Sequence, residues 1–178
     1  LNKFIGKKIL MIILNTLMAL PTVVIGLILY GLLNRRGLFG GFDLLYTQNA
    51  IIIGLCILIT PVILNLTIGA VYSADSRLAN RCTLLCTTQI QKIFIYISET
   101  RFMLMTGIIT GFGRAIGEVG IAMMIGGNIE GFTRTMTTAI ALETSKGSFE
   151  FALTLGLILL FIALLVNIIL YYFQQKEI

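Results

Sequence analysis

Arg114 and Glu118 stand four residues apart inside a long apolar stretch. That spacing brings two side chains together on one face of a helix. A cation and an anion so placed can neutralise each other and lock the helix against a neighbour, or they can flank a polar path. Unpaired, each would cost about 2.5–3.5 kcal/mol at the middle of a membrane. As an acid–base centre the pair is poor, because no nucleophile or metal-binding set accompanies it. Downstream, Gly126-Gly127-Asn128 is followed by Thr133, Arg134, Thr137 and Thr138. Hydroxyls grouped with a guanidinium suit an oxyanion, and an ordinary solvated loop has the same composition. Histidine is absent from all 178 residues, which excludes bis-histidine haem and histidine-based acid–base or metal sites. Cys56, Cys82 and Cys86 form no CxxC spacing and read as small apolar residues. No Walker A loop or GxGxxG occurs, so we expect neither a nucleotide site nor a cofactor on this chain.

The elements that position these residues follow from polarity. Hydrophobic residues make up 57% of the chain and charged ones 12%, with a mean hydropathy of +0.98. Soluble domains carry about 25% charged residues, so this surface needs lipid. Four stretches have the roughly 20 residues a spanning helix requires: residues 9–33, 50–72, 103–126 and 151–173. Together they make one transmembrane domain over residues 1–178. The chain opens on Leu1 rather than Met, and an earlier helix is expected to precede it. Pro21 and Pro61 predict kinks in the first two spans. The third span carries Gly107, Gly111, Gly113 and Gly117, two GxxxG spacings that let helix backbones approach closely. Arg114 and Glu118 belong to the same span. A short helical turn is expected over residues 139–144.

Orientation comes from the basic residues. With segment 73–100 inside, Lys3, Lys7, Lys8, Arg77, Arg81, Lys92, Arg101 and Lys176 lie on the inner side. Arg35, Arg36, Arg134 and Lys146 then lie outside, balanced by Asp43, Glu130, Glu143 and Glu150. This bias follows the positive-inside rule. Segment 73–100 itself begins with Asp75-Ser76-Arg77-Leu78, a helix-start pattern. It continues with Leu78, Cys82 and Leu85 on one stripe. It reads as a short amphipathic helix, a bend and an approach to the third span. Such a helix can rest on lipid headgroups or receive a cytoplasmic partner.

At these residues the sequence resembles the permeases of binding-protein-dependent ABC importers. Their cytoplasmic Glu-Ala-Ala-x3-Gly motif has its spacing here at Asn80-Arg81-Cys82-x3-Cys86, with Asp75, Arg77 and Leu78 ahead of it where Asp-Pro-Arg-Leu is common. The motif residues themselves differ: Asn80 replaces Glu, Arg81 and Cys82 replace the alanines, and Cys86 replaces Gly. The stretch Gly111-Phe112-Gly113-Arg114-Ala115-Ile116-Gly117-Glu118-Val119-Gly120, then Met124 to Ile129, is similar to oxyanion-importer permeases. Thr133-Arg134, residues 137–144, Lys146-Gly147, residues 15–26 and Arg35-Arg36-Gly37 are similar to the tungstate branch.

The resemblance implies an all-α integral membrane protein with the type I ABC importer permease fold. It would have four spanning helices in this stretch of chain and a cytoplasmic coupling helix. Asp75, Arg77, Asn80, Arg81, Cys82 and Cys86 would couple to a separate ABC ATPase carrying ATP–Mg. Gly113, Arg114, Gly117 and Glu118 would pack the third span, and Asn128, Thr133, Arg134, Thr137 and Thr138 would line the substrate path. Further implied partners are an extracytoplasmic oxyanion-binding protein, a second permease copy and membrane lipid, in a bacterial inner membrane. The rival readings are a molybdate, sulfate or phosphate importer of the same architecture, and a membrane anchor or assembly subunit without transport.

Overall fold

The computed structural model describes residues 6–73 and 88–175, and these fold into helices without strands. α1 (Lys7–Ala19) and α2 (Thr22–Leu33) meet at Leu20-Pro21 with a bend of 99°. α3 (Gln48–Ser73), α4 (Gln89–Ile116) and α7 (Phe149–Gln175) are each long and apolar enough to cross a membrane. Two shorter helices, α5 (Gly120–Gly126) and α6 (Met136–Ser145), lie between α4 and α7.

Residues 9–33 were expected to form one kinked span. The structure breaks them into two helices, because Pro21 has extended backbone and starts α2 rather than continuing α1. Three uninterrupted crossing helices therefore result, or four crossings if the bent pair is counted as one. α3, by contrast, runs through Pro61 without interruption.

The third expected span also changes. Helix begins well before residue 103, at Gln89, where Thr88 and Gln91 form a reciprocal capping box. It ends at Ile116, and after Gly117, Glu118 and Val119 a new helix runs to Gly126. Residues 103–126 are thus a helix interrupted midway. Segment 89–100 is part of α4 rather than a separate approach, while residues 74–87 lie outside the described residues.

The core sits where α2, α3 and α5 meet: Ile25, Leu29, Leu33, Ala50, Leu58, Ile121 and Ile125 are buried together. Close approach there depends on Gly54, where a Cβ would lie 2.5 Å from Ile121 Cγ2 and 2.8 Å from Ile125 Cδ1. α1 returns to α3 through a polar contact, Asn65 Nδ2 donating to Asn15 Oδ1 at 2.6 Å. The large apolar side chains of α7 point outward along most of its length, Leu160, Phe161 and Leu164 among them. That is the pattern of a helix facing lipid.

Candidate functional site

α4 uses its two GxxxG spacings differently. Gly107 and Gly111 face α3, and a Cβ on Gly111 would sit 2.8 Å from Ile59 Cγ2 and 3.2 Å from Ile63 Cδ1. Gly113 has nothing within 4 Å, and Gly117 meets only the carbonyl of Gly113. The packing expected of Gly113 and Gly117 is therefore supplied one spacing earlier, and their own face is open.

The expected Arg114–Glu118 pair does not form. Among the described residues no ion pair joins them, because the helix that would align them stops at Ile116. Glu118 turns inward, 8% exposed, and its Oε1 accepts the backbone N–H of Ile121 at 2.9 Å. A carboxylate there satisfies an orphan donor in the first turn of α5 and meets the positive end of its dipole. A largely apolar cavity of about 240 Å³ borders Glu118, lined also by Leu55, Ala115, Thr135, Thr137 and Leu159.

Arg114 stays exposed, in the last turn of α4. Its level relative to α3 follows from packing. α3 is 26 residues long, and Gly111 touches Ile59 and Ile63 on either side of its midpoint. Arg114 is three residues further, about 4.5 Å along the axis. Its position at the C-terminal end of a helix dipole contributes about 0.3–1 kcal/mol, less than the roughly 2.5–3.5 kcal/mol that a mid-membrane cation costs. The dipole alone does not account for it.

The loop over residues 127–138 behaves in the opposite way. Thr133, 2% exposed, donates its hydroxyl to Gly126 O at 2.5 Å and accepts from Ile129 N at 3.0 Å. Thr137 Oγ1 donates to Glu118 O at 2.8 Å, tying α6 to the interruption between α4 and α5. Thr138 Oγ1 accepts from Thr135 N at 2.9 Å in the capping box that starts α6. That box makes α6 a helix of 10 residues, longer than the turn expected over 139–144. Arg134 lies 3.3 Å from Glu130. Asn128 takes a left-handed backbone (φ 50°) beside Gly127 (φ 71°), whose missing Cβ leaves room for the Tyr46 ring. The buried Oδ1 of Asn128 and Nε of Arg134 have no hydrogen-bond partner among the described residues.

Of the five loop residues assigned to a substrate path, then, the three threonines have their hydroxyls committed to the protein's own backbone and caps. What sequence reasoning missed was their role as fasteners, since Thr-rich loops look alike whether their hydroxyls face in or out. Loops 34–47 and 127–135 meet at one end, Tyr46 N donating to Ile125 O and Gln48 Nε2 to Phe132 O, both at 2.8 Å. Nearby, a hydrogen bond from Lys146 holds the Glu143 carboxyl below the usual carboxylate range. Asp75, Arg77, Asn80, Arg81, Cys82 and Cys86 lie outside the described residues.

Bent and interrupted apolar helices, a bonded loop over residues 127–138 and an exposed arginine level with the middle of α3 fit a membrane protein built of several spans; its class comes from its relatives. The family described as binding-protein-dependent transport system inner membrane component matches across residues 1–178. The chain is 37% identical over 176 residues to the tungstate uptake system permease protein TupB of Peptoclostridium acidaminophilum, covering 99% of this chain and 77% of that protein. It is 38% identical over 163 residues to the protein of the same name from Campylobacter jejuni, 92% of this chain and 68% of that one. A probable anion ABC transporter permease protein of Haloferax volcanii is 37% identical over 169 residues, with 92% and 73% covered. This chain belongs to that family: it is an inner-membrane permease of the binding-protein-dependent ABC importer type.

Proposed function

We propose that this permease imports tungstate, or a tetrahedral oxyanion of the same charge and shape. The observation that carries the reading is the similarity across nearly the whole chain to two permeases named for tungstate uptake. The Haloferax relative, named for an anion, supports the charge of the cargo. A guanidinium with no ion-pair partner among the described residues, level with the middle of α3, is compatible with that cargo as well.

In this reading two copies of the permease assemble in the lipid bilayer with two ABC ATPase subunits inside and a binding protein outside. ATP–Mg is held by the ATPase, and the permease carries no cofactor and performs no chemistry. The segment from Asp75 to Cys86 couples the motor to the spans, and closure of the ATPase swings them between inward- and outward-open states. Selectivity rests mainly on the binding protein, and the path holds the ion weakly enough to let it go. The test is ATP-dependent uptake of tungstate into vesicles containing permease, ATPase and loaded binding protein, with molybdate, sulfate and phosphate as competitors. Saturable tungstate uptake, reduced by molybdate more than by sulfate or phosphate, is expected. ATP hydrolysis without movement of any oxyanion would sink the reading.

A further inference from the structure

The exposed side of α4 is unusual for a helix in lipid. Thr106, Thr110, Gly113, Arg114 and Gly117 are all exposed, and at 3.6 residues per turn they share an arc of about 100°. Between residues 106 and 117 no large apolar side chain stands on that arc, and exposed Met103 marks its start one turn earlier. The neighbouring arc, with Gly107 and Gly111, is spent on α3, and on the far side Ile108 projects outward as a lipid-facing residue would. The helix therefore presents three faces: one packed, one apolar and one polar.

A polar arc with a cation at its centre is disfavoured against acyl chains. Glu118, the carboxylate nearest to it in sequence, is committed to the Ile121 N–H, and among the described residues no ion pair engages Arg114. The hydroxyls of Thr106 and Thr110 donate to carbonyls one turn back, Phe102 O at 3.0 Å and Thr106 O at 2.8 Å. Arg114 is left as the charged donor on this face, among glycines that leave space around it.

We propose that this arc of α4 lines the permeation path and that Arg114 contacts the oxyanion in transit. The proposal rests on the import reading above. A guanidinium offers several N–H donors to a tetrahedral dianion. A single such residue, with threonine protons already engaged, gives a site weak enough to release its ion. The two-electron-pair chemistry of catalysis plays no part; the residue exchanges hydration of the anion for hydrogen bonds and returns it.

The test uses the complete transporter, permease with ATPase and binding protein, in vesicles. Arg114→Gln removes the charge and keeps much of the length; Arg114→Lys keeps the charge and loses the fork. Tungstate uptake by Arg114→Gln is expected to fall about 10- to 100-fold, the loss of a charge-assisted contact. ATP hydrolysis stimulated by loaded binding protein should stay within about twofold of wild type, with the melting temperature unchanged, and Arg114→Lys should recover part of the uptake. Wild-type uptake by Arg114→Gln would overturn the proposal. Parallel loss of melting temperature, hydrolysis and uptake in both variants would also overturn it, and would make Arg114 a packing contact with a second copy. If the wild-type transporter moves no oxyanion, the import reading fails and this proposal with it; a working wild type beside a working Arg114→Gln defeats this proposal alone.

Discussion

The loop of residues 127–138 and the exposed arc of α4 are two polar regions of an apolar chain, and they solve the polarity problem in opposite ways. In the loop, Thr133, Thr137 and Thr138 are buried and their hydroxyls are bonded to the protein itself. At the end of α4 and just beyond it, Gly113, Arg114 and Gly117 are exposed, and among the described residues no carboxylate pairs with Arg114. Composition does not separate the two, since both combine threonine, glycine and arginine. Bonding does. A polar group whose donors and acceptors are satisfied inside the chain supports the fold; one held at mid-depth without a partner has been kept for something outside it.

The sharpest way to break this comparison is Thr133→Val. The substitution conserves shape and removes a hydroxyl that serves both Gly126 O and Ile129 N. Buried Gly126 O and part-buried Ile129 N then lose a partner, the buried one costing about 1–3 kcal/mol. We expect the largest fall in thermal stability of any change in the loop, measured in detergent. Uptake per folded molecule should stay near wild type. Normal stability with lost uptake would reverse the assignment and place Thr133 on the path.

Gly111→Leu and Gly113→Leu form a matched pair two residues apart. At Gly111 the new Cβ would meet Ile59 at 2.8 Å, so overpacking against α3 should cost about 1–3 kcal/mol. At Gly113 nothing lies within 4 Å, and stability of the single chain should hold while the filled arc lowers uptake. Equal destabilisation by both would mean that both glycines pack.

How much of this was readable in advance differs along the chain. The apolar runs at 50–72 and 151–173 announced α3 and α7, because lipid exposure forces continuous apolar sequence. Pro21 signalled a bend, but the 99° angle depends on how α1 and α2 pack, which no local residue states. The interruption at Gly117–Val119 was hidden, since glycine every four residues reads as smooth helix packing. The Arg114–Glu118 spacing pointed the same way, and it misled because the acceptor's true partner is a backbone N–H, a group every sequence provides. Asp75 to Cys86 reads as a short amphipathic helix from its own pattern, its coupling role comes only from the family resemblance, and it lies outside the described residues.

Glu118→Gln sharpens the contrast with Arg114 at a smaller magnitude. If the carboxylate served Arg114, removing its charge would strand a cation in the membrane. In the structure it accepts from Ile121 N, and an amide oxygen accepts that bond nearly as well. The expected loss is about 1 kcal/mol, the difference between a charged and a neutral acceptor, with transport retained. A collapse in yield or in uptake on Glu118→Gln would restore the ion pair.

The smallest effect belongs to a third polar contact, which lies between the two extremes. Asn65 donates to Asn15 across α1 and α3 at 2.6 Å, and Met18 Sδ lies 3.0 Å from the same amide nitrogen. The contact is internal, like those of the loop, yet it is not enclosed like them. Interhelical hydrogen bonds of this kind average about 0.6 kcal/mol in membranes, because the separated helices find other partners. Asn65→Leu should therefore shift stability by about that amount, and a double-mutant cycle with Asn15→Leu should return a coupling of the same size. Because α1 reaches α3 from the far side of the Leu20-Pro21 elbow, loosening this contact should free α1 before it affects α2, whose core contacts at Ile25 and Leu29 are untouched. Hydrogen exchange resolved to α1 and α2 would read that order. Equal loss of protection in both helices would mean that the elbow is rigid and that the asparagine pair holds the whole bent unit.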